Sequence, residues 1–126
     1  MATILFAEDN DILRRVVSRA LEDAGYAVIE ARSAADALAV FRAGAAIHCV
    51  ITDVSVLGRD DPVVNSVQQL TESLPLIYAS GHALAFAERQ YRLRSGAPYL
   101  EKPFDLDDLL ATIRRLLPDP HGPSAA

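Results

Sequence analysis

The sequence predicts an α/β fold in which one parallel β-sheet carries helices on both faces. Strand-like and helix-like segments alternate five times along the chain, as in repeated strand–helix units. The most apolar strand segment, residues 47–52, is typical of a strand that is covered on both faces. The chain has 126 residues, of which 51% are hydrophobic and 23% are charged. This length and composition suit a single domain with a buried core.

Each of the five units is predicted from apolar spacing and from the residues that bound it. The strands are predicted at residues 3–8, 27–31, 47–52, 75–79 and 97–100, and the helices at residues 10–24, 33–43, 62–72, 84–94 and 105–117. The first helix has apolar residues at helical spacing: Leu13, Val17, Ala20, Leu21 and Ala24. The last helix shows the same spacing in Leu106, Leu109, Leu110, Ile113, Leu116 and Leu117.

Local signals mark where most of these helices begin and end. Four helices follow a residue whose side chain can cap the first turn: Asn10, Ser33, Asp61 and Asp105. Asp36 stands three residues after its cap, as in a capping box, and Pro62 occupies a first helical position. Gly25 and Gly44 stand where a glycine ends a helix. Acidic residues open the last helix and basic residues close it, which suits the helix dipole: Asp107, Asp108, Arg114 and Arg115.

The domain is predicted to cover residues 1–117, followed by a disordered tail over residues 118–126. The tail has no apolar periodicity, and nothing in the sequence indicates a second domain or an internal linker. The formal net charge of −5 and the absence of a basic stripe argue against nucleic-acid binding. No membrane span and no secretory signal are visible. Cys49 is the single cysteine, which suits a reducing cytoplasm, and its strand position favours a buried small side chain.

Polar residues that suit phosphate chemistry stand at the ends of four strand segments. They are Glu8, Asp9, Asp53, Ser80 and Lys102. Because the carboxyl ends of neighbouring parallel strands meet in one crevice, we expect these side chains to share a pocket. Three carboxylates would repel one another without a cation, and Mg²⁺ prefers such oxygen ligands. Asp53 is the predicted nucleophile toward phosphorus, and the Lys102 ammonium would stabilise the charge on the transferring oxygens.

This set of residues resembles the receiver domain of two-component response regulators over residues 3–117. The resemblance implies a flavodoxin-like (βα)5 fold with strand order 2-1-3-4-5. It implies that Asp53 is the phosphorylation site and that Mg²⁺ is held by Glu8, Asp9, Asp53 and the backbone carbonyl of Ser55. The phosphoryl donor would be a histidine kinase or a histidine phosphotransfer protein. The domain would then be a signalling module rather than an enzyme, although it can catalyse its own phosphotransfer and dephosphorylation.

The same resemblance assigns a switch. It implies that Ser80 hydrogen-bonds a phosphoryl oxygen and that Tyr99 turns inward when the hydroxyl of Ser80 shifts. The face formed by the fourth and fifth predicted helices and the last strand would then bind a downstream protein. Lys102 and Pro103 match the family's Lys-Pro signature, in which the peptide bond is usually cis. His82, two residues after Ser80, is expected near the pocket mouth.

The segment after Asp53 departs from the family pattern. Residues 54–62 lack the usual proline and the acidic-glycine turn, and the distance from Asp53 to Ser80 is a few residues short. We expect a trimmed or reshaped third helix and a reshaped loop before it. Since this loop borders the metal site, we expect it to affect the Mg²⁺ affinity and the lifetime of the phosphoryl group.

Other functions fit the residues less well. A Mg²⁺-dependent phosphatase with an aspartate nucleophile needs a second aspartate two residues later, where this chain has Ser55. Flavin binding needs a phosphate-binding loop after the first strand, where this chain has Glu8 and Asp9. An atypical receiver that binds a partner without phosphorylation is the main alternative. A stand-alone regulator and the C-terminal receiver of a hybrid kinase both match the pattern, and the initial methionine and the tail favour the former.

Overall fold

The fold is a five-stranded parallel sheet in the order β2-β1-β3-β4-β5, in a computed structural model that describes residues 1–117. The strands are β1 (Thr3–Ala7), β2 (Ala27–Ala31), β3 (Cys49–Thr52), β4 (Leu76–Ser80) and β5 (Tyr99–Glu101). The predicted fold class and strand order are therefore confirmed. The predicted disorder of residues 118–126 lies outside the described part of the chain.

The register of the sheet brings the carboxyl ends of the central strands together. Ala7, the last residue of β1, pairs with Ala31 of β2 and with Thr52 of β3. Glu8 and Asp53 each follow directly on these strands, so they leave the sheet at the same edge. The backbone N–H of Asp53 donates to the carbonyl of Ala7 at 3.0 Å, which continues the pairing to the phosphoacceptor candidate itself.

Helices cover both faces of the sheet, and alternate strand residues feed two separate cores. The helices are α1 (Asp11–Asp23), α2 (Ala34–Arg42), α3 (Val54–Leu57), α4 (Pro62–Thr71), α5 (Leu84–Gln90) and α6 (Leu106–Leu116). One core packs α1 and α6 on the sheet, with Phe6 among its buried strand residues. The other packs α2, α3 and α4 on the opposite face, where Leu5 is buried. Every residue of β3 is buried, as expected for the central strand.

The capping residues predicted from the sequence all cap their helices. Each of the four side chains accepts a backbone N–H in the first turn: Asn10, Ser33, Asp61 and Asp105. Cys49 is fully buried, and burial raises the pKa of its thiol to about 12. The thiol is therefore protonated at neutral pH, in agreement with its prediction as a small buried side chain.

The region after Asp53 contains a helix that the sequence did not reveal, in addition to the helix predicted over residues 62–72. α3 begins immediately after Asp53 and lasts only four residues, and α4 follows after a short loop. Asp53 is itself the cap of α3, because its carboxylate accepts the backbone N–H of Ser55. A four-residue apolar segment is too short to show helical periodicity, so only its tertiary surroundings define it.

The prediction of a helix over residues 84–94 was too long. α5 ends at Gln90, and the next residues bond to other parts of the chain instead of continuing the helix. The backbone N–H of Arg92 donates to the carbonyl of Gly58 at 2.7 Å, and that of Arg94 donates to the hydroxyl of Tyr78 at 2.8 Å. These tertiary hydrogen bonds replace the helical ones.

Candidate functional site

Asp53 lies at the carboxyl end of the central strand with both carboxylate oxygens engaged. Only 7% of the residue is exposed. Its Oδ1 accepts the backbone N–H of Ser55 at 2.9 Å and the hydroxyl of Ser55 at 2.8 Å. Its Oδ2 lies 2.5 Å from the ammonium of Lys102. The carboxylate is thus held in one orientation, at the mouth of the crevice that the strand ends form.

Glu8 faces Asp53 from the neighbouring strand and is more deeply buried. It is 1% exposed, and its backbone N–H donates to the carbonyl of Ala31 at 3.0 Å. Its Oε2 accepts the backbone N–H of Asn10 at 3.0 Å, and its Oε1 accepts from Lys102 at 2.6 Å. The side chain therefore points into the crevice and also stabilises the turn into α1.

The ammonium of Lys102 joins the two buried carboxylates. It comes from the residue after β5, and its backbone N–H donates to the carbonyl of Ser80 at 2.6 Å, which extends the β4–β5 pairing. The peptide bond between Lys102 and Pro103 is cis. Glu8 and Lys102 are 94 residues apart in sequence, so the sheet topology alone brings these charges together.

Glu8, Asp53 and Lys102 share hydrogen bonds, but the pKa values of the two carboxyl groups shift in opposite directions. Burial raises the pKa of Glu8 above its usual value, although Lys102 and the Asn10 N–H oppose this shift. Burial also acts to raise the pKa of Asp53, but hydrogen bonds from Lys102 and Ser55 outweigh it and lower the pKa. Burial disfavours the charged form of Lys102, yet Asp53 and Glu8 raise its pKa overall. At neutral pH the site presents an ionised Asp53 beside a charged ammonium.

The oxygen donors of the site fit Mg²⁺, although no compact cage exists. Within residues 1–117, no three Asp, Glu, His or Cys side chains are gathered as a preformed metal site. Asp9 is exposed beside Glu8, and its carboxyl group acts to raise the pKa of Glu8. Mg²⁺ needs only one or two protein carboxylates because it keeps several waters. Asp9, Asp53 and the carbonyl of Ser55 are hard oxygen donors of this kind.

Ser80, His82 and Tyr99 form a second hydrogen-bonded group beside the first. The buried hydroxyl of Ser80 accepts the backbone N–H of His82 at 3.0 Å. The hydroxyl of Tyr99 donates to the carbonyl of His82 at 2.6 Å. Burial raises the pKa of the Tyr99 hydroxyl, while the hydroxyl of Ser80 opposes the shift. The His82 ring packs on Phe86, with centroids 4.9 Å apart.

Sequence reasoning missed Arg14, which reaches the back of the acidic turn. The residue is 5% exposed, and its guanidinium donates to the backbone carbonyl of Glu8 at 2.9 Å. One signal was available. Arg14 stands three residues before Val17 and seven before Leu21, so it shares the buried face of α1. A charged residue on an apolar helix face needs buried partners, so this position predicts a structural role for Arg14.

A family model decides what this arrangement is. Residues 4–114 match the model of the response regulator receiver domain, which is nearly the whole chain. The chain belongs to the response regulator receiver family. The receiver is thus a domain of two-component systems, and the match agrees with the sheet order and with the resemblance seen in the sequence.

Relatives include receivers of two kinds. The chain is 31% identical over 118 residues to sensor kinase CckA of Brucella abortus, covering 92% of the chain but 12% of that kinase. It is 28% identical to the response regulator receiver protein CpdR of the same organism, covering 93% of the chain and 98% of that protein. A crystal structure of a response regulator receiver protein from Sinorhizobium medicae superimposes with a TM-score of 0.76 at 32% identity, covering 91% of this chain and 93% of that one.

The family fixes the broad class of activity and partner. Receiver domains are signalling modules that interact with histidine kinases or phosphotransfer proteins, and their phosphorylation uses Mg²⁺. Among residues 1–117, no helix has the length and apolar character needed to cross a bilayer.

Proposed function

We propose that this receiver accepts a phosphoryl group on Asp53 from a histidine kinase or a histidine phosphotransfer protein, in a Mg²⁺-dependent reaction. The observation that carries the proposal is the environment of Asp53. Its carboxylate sits at the end of the central strand, contacts the Lys102 ammonium at 2.5 Å and has a lowered pKa. The group is therefore ionised at neutral pH and ready to act as a nucleophile.

The transfer forms one bond and breaks one. A carboxylate oxygen of Asp53 attacks the phosphorus of the donor's phosphohistidine, the phosphorus–nitrogen bond breaks, and the imidazole leaves with its electron pair. Lys102 supplies positive charge beside the transferring oxygens. Asp9, Asp53 and the carbonyl of Ser55, with Glu8 beside them, would hold Mg²⁺, which would supply further positive charge next to those oxygens.

The second hydrogen-bonded group supports a switch. The hydroxyl of Ser80 is engaged with the backbone of His82, and Tyr99 holds the carbonyl of the same residue. A phosphoryl oxygen on Asp53 offers the Ser80 hydroxyl a stronger, charged acceptor. A shift of Ser80 would disturb the turn at His82 and release Tyr99, which changes the surface near α5 and β5. That surface is the proposed site for a downstream protein.

The remaining properties follow from the sequence and stay predictions. We propose that the protein acts in the cytoplasm through protein partners and contacts neither nucleic acid nor membrane by itself. Its single cysteine and its net charge of −5 support this view.

The test is intact-mass analysis after incubation with a small acyl phosphate, with and without Mg²⁺. The wild type should gain one phosphoryl group only with Mg²⁺, and Asp53→Asn should gain none. Asp60→Asn is the matched control, because the same substitution falls in the nearby loop on an exposed residue and should leave uptake intact.

Two outcomes would contradict the assignment. Stoichiometric uptake by Asp53→Asn would place the phosphoryl group elsewhere. If the wild type binds Mg²⁺ but accepts no phosphoryl group from the small donor or from a histidine kinase, the receiver is instead a phosphorylation-independent binding module.

A further inference from the structure

We propose that Arg14 is a positioning residue for the acidic turn, Glu8–Asp9, and that it sets the receiver's affinity for a divalent cation. The inference rests on the proposed function in taking this turn as part of the Mg²⁺ site. Arg14 does not contact Asp53. It contacts the acidic turn through the backbone of Glu8 and not through the side chains that would bind the cation.

The guanidinium of Arg14 is held on three sides. Its Nε donates to Glu30 of β2 at 2.9 Å, and its Nη2 donates to Asp11 of α1 at 2.7 Å. Its Nη1 donates to the backbone carbonyl of Glu8 at 2.9 Å. One planar group thus links the end of β2, the first turn of α1 and the residue after β1.

The two carboxylates orient the guanidinium and also neutralise it. A buried charge is tolerated only when it is paired and hydrogen-bonded, and Arg14 has two ionic partners. Because Asp11 and Glu30 together carry more charge than one guanidinium, the three groups add no net positive charge beside the crevice. The third hydrogen bond, from Nη1 to the carbonyl of Glu8, has a fixed direction because the guanidinium is planar and rigid and its other two donors are already bound.

The carbonyl of Glu8 and the N–H of Asp9 belong to the same peptide unit. When Arg14 fixes that carbonyl, it fixes the plane of the peptide and therefore the direction in which Asp9 leaves the backbone. The other contacts of the turn involve different groups. They hold the N–H of Glu8, on Ala31, and the Glu8 side chain, on Asn10, on Lys102 and beside the carboxyl group of Asp9.

Loss of Arg14 should therefore affect the cation more than the phosphoryl chemistry. Asp9 would sample several orientations, and the cation would lose a preorganised ligand. Removing a residue that orients a metal ligand typically weakens metal affinity by 10- to 100-fold, and we expect about tenfold here. Asp53 and Lys102 keep their mutual contact, since neither touches Arg14.

The experiment compares Arg14→Met with Arg15→Met. Arg15 is the next residue of α1 and is exposed, so its substitution removes the same charge from the same helix. Mg²⁺ alone is titrated by calorimetry, without a phosphodonor. Arg14→Met should raise the Mg²⁺ Kd about tenfold, and Arg15→Met should leave it within about twofold. Arg14→Lys should restore part of the affinity, because an ammonium can still donate to the carbonyl of Glu8.

A second readout separates positioning from a general loss of structure. The phosphorylation rate of Arg14→Met, measured against Mg²⁺ concentration, should show a raised half-saturation and a nearly unchanged maximum. A structural defect would lower the maximum instead. If Arg14→Met does not fold, Glu30→Gln replaces it, because this variant keeps Arg14 but weakens its anchor on β2. It should raise the Mg²⁺ Kd in the same direction by a smaller factor.

An unchanged Mg²⁺ Kd in folded Arg14→Met, or in Glu30→Gln when that variant is used, would overturn the proposal. Failure of the proposed function looks different. In that case the wild type binds Mg²⁺ but accepts no phosphoryl group, while the effect of Arg14 on binding can still be measured.

Discussion

The two connections that carry the carboxylates leave the sheet in different ways. After β1, Glu8 and Asp9 form a turn, and Asn10 then caps the thirteen-residue α1. After β3 there is no turn, because Asp53 is both the last residue before α3 and the cap of that helix. Glu8 and Asp9 are thus separated from their helix by a dedicated cap, whereas Asp53 caps its helix itself.

This difference predicts which helix is affected by a chemical change at Glu8 or Asp9 and which by a change at Asp53. The hydrogen bond between Asn10 and Leu13 that caps α1 includes neither Glu8 nor Asp9, and Glu8 contacts only the backbone N–H of the cap residue. A change at Asp53 acts directly on the N-terminus of α3. The far end of α3 is also connected, since the carbonyl of Gly58 accepts the backbone N–H of Arg92 after α5. The connection after β3 therefore couples Asp53 to the surface beyond α5 through few residues.

The largest effect is expected when the connection after β3 is broken at Gly58. A Cβ at this position would clash with the backbone oxygen of Val54 and lie 3.1 Å from the Cβ of Tyr91. Since the first contact is with backbone, Gly58→Ala must displace α3, and we expect a loss of about 2 kcal/mol in the free energy of unfolding. Urea denaturation measures this loss.

Gly81→Ala is the matched control for that prediction. A Cβ at Gly81 meets nothing within 4 Å, so the variant should unfold within about 0.5 kcal/mol of the wild type. If both variants lose the same free energy of unfolding, the steric clash at Gly58 does not cause the loss.

The pH dependence of stability should distinguish the two buried carboxylates. The pKa of Asp53 is lowered, so its contribution is present above its ordinary value of 3.8 and is lost as pH falls through the folded value. The pKa of Glu8 is raised. Its contribution to the free energy of unfolding is therefore complete below its ordinary pKa of 4.5 and is lost as the pH rises through its pKa in the folded protein. The two groups should therefore bias stability in opposite directions.

The expected result is a pair of opposite trends in the absence of Mg²⁺. From pH 4.5 upward, Glu8→Gln should gain stability relative to the wild type, by at most about 1.4 kcal/mol per pH unit because one proton is involved. Asp53→Asn should be less stable than the wild type at neutral pH, and the difference should shrink below pH 3.8. Urea unfolding across this pH range gives both curves. If both variants change in stability in the same direction with pH, Lys102 does not shift the pKa values of Glu8 and Asp53 differently.

The contrast between the connections also explains what the sequence could predict. Asn10 and the apolar spacing of α1 are local signals, so the cap and the helix of the first connection were predicted to within a residue, but Glu8 was assigned to the strand and Arg14 was missed. The position of Asp53 followed from its strand, but α3 did not, because it is defined by packing on α4 and β4 and by the hydrogen bond between Gly58 and the distant Arg92. Likewise, strand order placed Lys102 in the crevice, while its bonds to Glu8 and Asp53 depend on side-chain packing that no local pattern encodes.

The smallest effects should come from removing one capping contact in each connection. Asn10→Ala deletes the side-chain cap of α1 and should cost about 1 kcal/mol in the free energy of unfolding. Ser55→Ala removes the hydroxyl bond to Asp53, but the backbone N–H of Ser55 still donates to the same oxygen. Its cost should be about 0.5 kcal/mol, near the lower limit for a hydrogen bond. If thermal unfolding shows the larger loss for Ser55→Ala, the hydroxyl rather than the backbone N–H holds Asp53 at the start of α3.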